Sequence, residues 1–164
     1  MSRIRKLVTG GLIAATLAIG VISHARAIGY IPPLCSSTGI GIRANGSVEA
    51  GGTIRRAWVV TNLSRTACYV TGHPMLQLYG TLGRPFHFLR QPVPPGSGPV
   101  GLAPGGSATM FTSYGHVTAG RRCPTSGVMA VVLPQGRGTL ATQAVMHLCG
   151  ALRVSGFVRG VHAP

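Results

Sequence analysis

The sequence is almost without carboxylates: among its 164 residues Glu49 is the single acidic side chain, set against fifteen lysines and arginines. That scarcity excludes several chemistries together. Glycosidase-type carboxylate pairs, two-metal hydrolytic centres and a serine-histidine-aspartate triad all need acids that this chain does not carry. A triad built on Glu49 would require it buried beside a histidine, whereas the neighbouring Gly46, Gly51 and Gly52 point to an exposed loop. Calcium and similar oxygen-seeking ions lose their ligands for the same reason. Aromatic residues make up 5% and are not interleaved with the arginines, which argues against a single-stranded nucleic-acid surface. No glycine-rich phosphate loop follows a strand and opens a helix. The expectation is a non-enzyme with no cofactor and no nucleic-acid partner.

Long apolar runs are scarce too, and the one present has the form of a secretory signal. A basic start (Arg3, Arg5, Lys6) precedes an apolar stretch from Leu7 to Ile22 and the small-residue tripeptide Ala25-Arg26-Ala27. This order predicts cleavage after Ala27, leaving a domain over residues 28–164. As a retained helix those 16 residues would span only about 24 Å, short of the roughly 30 Å hydrocarbon core. Pro32-Pro33-Leu34 stands where a lipidation box would precede Cys35, and no twin-arginine pair precedes the apolar stretch. Export as an extracytoplasmic protein is expected, secreted or cell-wall associated, with no transmembrane segment after cleavage.

Cleavage would remove Arg3, Arg5, Lys6 and Arg26, leaving eleven arginines, no lysine and one acid, a net charge of about +10. Such an imbalance attracts polyanions. Outside a membrane these are cell-wall polymers, anionic headgroups or polysaccharides, or an acidic protein partner. Scattered arginines also serve simply to keep a fold soluble. Only Arg55-Arg56 and Arg121-Arg122 are adjacent in sequence, so these four are the candidate anion-binding residues. All four cysteines, Cys35, Cys68, Cys123 and Cys149, fall in the exported part, and their even number implies two disulfides. Counting leaves three connectivities open. The sequential one would close two loops of about 30 residues, worth roughly 3 kcal/mol each.

The remaining pattern is that of short strands. Trp58 to Leu78 is the organising stretch, read as two β-prone runs around a Thr61-Asn62-Leu63-Ser64 turn, a hairpin that needs a partner sheet. Ahead of it Ile40, Ile42 and Ala44 alternate, with turn signals at Asn45-Gly46 and Gly51-Gly52. Ile54, Trp58 and Val60 share a face on which Arg56 is the exception. Leu76 and Leu78 share another, and a hairpin leads to Phe86 and Phe88. Pro92, Pro94, Pro95 and Pro99 predict an irregular loop unable to join a central strand. Pro104-Gly105 supplies a type II turn before Ala108, Met110, Thr112 and Tyr114. Val128 to Leu133 reads as a central strand buried on both faces. Thr139 to Cys149 is read as strand although Ala141, Ala144, Val145 and Leu148 also fit a helical face. Leu152, Val154 and Phe157 form a last strand before a loose tail. About nine strands and no convincing helix give an all-β, antiparallel sandwich.

Thr61-Asn62, Ala67-Cys68, Thr71-Gly72-His73-Pro74 with Leu76 and Leu78, Gly83, Leu102-Ala103-Pro104-Gly105-Gly106-Ser107-Ala108, Cys123 and Cys149-Gly150 resemble the secreted actinobacterial domain-of-unknown-function family 4232. Their order and spacing cover roughly Cys35 to Phe157. The resemblance implies an immunoglobulin-like sandwich with two disulfides, exported or envelope-attached, with no established activity. This chain departs by His73 where an aromatic is usual and Met75 where glycine is usual.

An alternative function rests on soft ligands. His73, Met75, Met146 and His147, with Met110, Met129 and His87 nearby in kind, offer imidazole and thioether groups of the sort that bind Cu(I). Against it, methionines in strands usually pack cores. Asn45-Gly46-Ser47 and Asn62-Leu63-Ser64 match the glycosylation pattern but read as turn residues.

Overall fold

The computed structural model describes residues 31–96, 98–116, 123–133 and 137–164. The expected signal segment lies outside these residues. Twelve strands are found among them, three more than the sequence pattern marks out: β1 (Ile40–Ala50), β2 (Thr53–Asn62), β3 (Cys68–Val70), β4 (Met75–Gly80), β5 (Pro85–Phe86), β6 (Arg90–Val93), β7 (Val100–Leu102), β8 (Ser107–Gly115), β9 (Thr125–Val132), β10 (Thr139–His147), β11 (Cys149–Ser155) and β12 (Val158–Arg159).

One sheet runs β1-β2-β8-β11-β6, with β12 also on β8, and a second runs β10-β9-β4-β5; β3 and β7 pair separately. Alternate residues of the two large sheets meet in one core. Trp58, Val60, Met110, Leu152 and Val154 come from the first, and Leu78, Met129, Val131, Ala144 and Met146 from the second. This is the expected all-β, immunoglobulin-like sandwich, antiparallel apart from the parallel pairing of β6 with β11 and an isolated parallel bridge between Leu34 and Tyr69. Trp58 anchors it, fully buried, with Nε1 donating to Thr112 Oγ1 at 2.9 Å. Disulfides join Cys35 to Cys68 and Cys123 to Cys149, 33 and 26 residues apart, which selects the sequential connectivity.

Local sequence signals account for several joints. Gly51 and Gly52 both take positive φ, 55° and 70°, as the two-residue turn between β1 and β2 demands. At the Pro104-Gly105 turn, Gly105 has φ 74° and Gly106 N–H donates to the Ala103 carbonyl at 2.8 Å. The ambiguous stretch from Thr139 is strand, with Leu140, Ala144 and Met146 turned inward.

Other expectations are corrected. Trp58 to Leu78 is not a hairpin: β2, β3 and β4 belong to three different sheets. Asn45-Gly46 does not turn the chain but forms a bulge within β1, between Ala44 and Ser47. Part of the proline-rich loop is strand β6, tolerated because it lies at a sheet edge, where a missing N–H on the side away from β11 breaks no ladder bond. The Val128–Leu133 run is central and fully buried on its inner face, at Met129 and Val131, but unevenly covered on the outer, where Ala130 is buried while Val128 is 37% exposed. The tail is not loose either. Thr109 Oγ1 donates to the Gly160 carbonyl at 2.7 Å, His162 N–H donates to Thr109 Oγ1 at 3.1 Å, and Asn45 Nδ2 donates to the His162 carbonyl at 2.9 Å. These bonds draw residues 160–162 across from β8 to β1.

Candidate functional site

Side chains alternate across a strand, so the adjacent pair Arg55-Arg56 is divided between the two faces of β2. Arg56 stays on the core side, half-buried at the rim. Its guanidinium lies 5.5 Å from the Trp58 ring centroid and donates to the Val145 carbonyl at 3.2 Å. Arg55 points outward, 4.4 Å above the Phe111 ring, a cation-π contact that holds an exposed side chain in place.

The outer face brings Arg55 a different companion. In the sheet register Arg55 stands opposite Ser113 of β8, and Ser113 stands opposite Arg153 of β11. Two arginines thus flank one hydroxyl, their Cα atoms about two strand spacings, roughly 10 Å, apart. A large bulge helps to set Arg153 there. Between the Cys149–Gly115 and Arg153–Ser113 pairs, β11 has three residues where β8 has one, and Gly150 adopts φ 91°. Bulges of this sort bend a strand and re-aim its side chains.

Two cavities meet on this row. One, of about 400 Å³, lies between Arg55, Arg153 and the wall made by Val93, Pro94 and Pro95 over Phe111. The other, about 220 Å³, opens beyond Ser113 and Arg153 against Thr53, Gly115 and Ala151. No acidic side chain faces them. Glu49 lies elsewhere, paired with His116 Nε2 at 3.1 Å, while His116 Nδ1 faces the Gly52 carbonyl at 3.1 Å. Glu49 is therefore beside a histidine after all, but it is exposed, and the His116 ring nitrogens are turned to Glu49 and the Gly52 carbonyl rather than to a serine.

Arg121 and Arg122 lie outside the described residues. Of the four arginines singled out by adjacency, Arg55 is in the row and Arg56 is on the opposite face. Arg153 was missed. The signal for it was the alternation Leu152-Arg153-Val154, which turns Arg153 away from the core, but nothing local to it names Arg55 as its neighbour.

The soft-ligand set is dispersed. Met146 is buried in the core, and His147 is exposed with Nδ1 2.9 Å from Thr125 Oγ1. Met75 is 60% exposed, and His73 Nε2 lies 3.2 Å from the Val93 carbonyl. Met75 pairs Val132 and Met146 pairs Ser126, so the two halves of the set sit about 20 Å apart along β9. Four such residues cannot share one ion in this fold. Among the described residues no cluster of three or more histidines, cysteines or acids is present.

Residues 35–157 match the family described as a domain of unknown function, DUF4232, and the chain belongs to that family. No curated protein and no solved structure matches it. The matched span contains both disulfides and the whole Arg55–Ser113–Arg153 row.

Proposed function

We propose that this DUF4232 domain is an exported, non-catalytic binding module of an actinobacterial cell envelope, adhering to an anionic polymer or to an acidic protein partner through the outer face of its six-stranded sheet. The observation that carries the reading is the Arg55–Ser113–Arg153 row, two exposed arginines standing on either side of one serine on the same sheet face, with no facing carboxylate. A net charge of +14 for the whole chain, about +10 once the leader is removed, against a single acid supports it, because arginines that outnumber the acids so heavily remain available to an anion. Two disulfides favour an oxidising compartment, and the leader pattern supports export. No helix among the described residues is long and apolar enough to cross a membrane.

The test is retention of the exported protein in envelope fractions. Wild type is expected to be retained at low salt and released as ionic strength rises past about 0.3 M, where the Debye length has fallen to roughly 5–6 Å. The double variant R55S/R153S should lose retention about fivefold or more, whereas R56S, on the opposite face, should leave it unchanged. Salt-insensitive retention that survives R55S/R153S would dispose of the proposal.

A further inference from the structure

We propose that the anion taken by the Arg55–Ser113–Arg153 row is an in-chain phosphodiester, carrying one substituent in each of the two cavities. The inference rests on the envelope-binding reading above and gives its ligand a chemical class. A carboxylate or a phosphate monoester has a substituent on one side only, and a single cavity beside the arginines would serve it. Here the cavities lie on two sides of the same Ser113–Arg153 line and share both residues. A group held on that line has room to continue in both directions, as a diester does.

The chemistry of each part fits. Guanidinium groups present planar forks of N–H donors that match the two non-bridging oxygens of a phosphate, and the Ser113 hydroxyl between them adds a donor. The cavity against Thr53 and Gly115, about 220 Å³, falls below the 300 Å³ or so of a pocket for a drug-sized molecule and suits a glycerol or a single sugar. The one walled by Val93, Pro94, Pro95 and Phe111, about 400 Å³, offers a mixed surface to a longer continuation. Polyol-phosphate polymers and phospholipid headgroups both supply such a diester.

Calorimetric titration of the exported protein with glycerophosphoglycerol, glycerol 3-phosphate and lactate tests the claim. The diester should bind at least about tenfold more tightly than either of the others. R153S should abolish that preference while R84S, a charge-matched change in the turn between β4 and β5, keeps it. Ala151→Phe, which fills the smaller cavity, should weaken the diester about tenfold and leave the monoester unaffected. Equal affinity for monoester or carboxylate, or an Ala151→Phe variant indistinguishable from wild type, overturns the diester assignment while arginine-dependent envelope retention would still stand. Loss of that retention test sinks both. Phosphatidylglycerol vesicles and a soluble glycerol-phosphate oligomer separate the two sources: binding to either that free glycerophosphoglycerol displaces supports the assignment, and binding that it fails to displace overturns it.

Discussion

Asn62 explains at the level of single atoms why two distant motifs occur together in this chain. Its side chain is fully buried. Nδ2 donates to the Thr66 and Leu102 carbonyls at 2.8 and 3.0 Å, and Oδ1 accepts from Ser64 N and Oγ at 3.0 and 2.7 Å. The backbone adds a pair of bonds to Gly105 and Gly106. Thr61-Asn62 and the Pro104-Gly105 turn are therefore one structure, and the glycosylation pattern at Asn62 falls on a side chain with no solvent access. Asn62→Ala would remove four bonds at once, although the Thr66 carbonyl keeps Ser64 Oγ and the Ser64 amide keeps the Gly39 carbonyl, at a cost of about 1–3 kcal/mol. Urea denaturation checks this, and a loss below about 1 kcal/mol would mean water replaces the amide. Tyr114 gives a pH dependence. Burial pushes its phenol above the ordinary value of 10.0, and the Arg56 charge offsets this only in part. The unfolded chain then releases the proton first, so the stability contributed by neutral Tyr114 is whole below about pH 10 and is lost as pH rises through the folded value. In Tyr114→Phe the loss of stability above pH 10 should be shallower than in wild type.

At the scale of elements, β6 reaches its place because two glycines touch. A Cβ on Gly156 would run into the Gly96 carbonyl, and Gly156 N–H donates to the Pro95 carbonyl at 3.0 Å. Gly156→Ala must therefore push the Pro94-Pro95 wall outward, with a destabilisation of about 1–3 kcal/mol. Hydrogen exchange should show faster opening at the amides that join β6 and β11, such as Leu152, which donates to the Leu89 carbonyl, and no change in β9 or β10. Protection unchanged at β6 would show that the wall yields freely. The bulge at Gly150 belongs to the same scale. Cys149-Gly150 was visible in the sequence as a motif, but its effect, turning Arg153 toward Ser113, follows only from the unequal residue counts on β8 and β11.

For the whole molecule, charge is the dominant variable. With arginines spread over the described surface and one acid to meet them, folding gathers like charges, and mobile ions relieve the repulsion. The melting temperature at pH 7 is expected to rise by a few degrees between about 10 and 200 mM sodium chloride, measured by calorimetry. A flat profile would mean that the guanidinium groups are too far apart to repel.

Fold class and core are written locally. The two-residue alternation of Trp58-Val60, Leu76-Leu78 and Met110-Thr112-Tyr114 depends on neighbours in the chain, and a sequence states its neighbours outright. The site is not written that way. Arg55 and Arg56 are adjacent in sequence and face opposite directions, while Arg55 and Arg153 are 98 residues apart and share a face. The same holds for the tail, which follows the last strand as an unremarkable stretch and is held by Thr109 and Asn45. Which strand lies beside which, and in what register, is decided when the two sheets close on one core. Only that closure puts Arg55 and Arg153 on either side of Ser113.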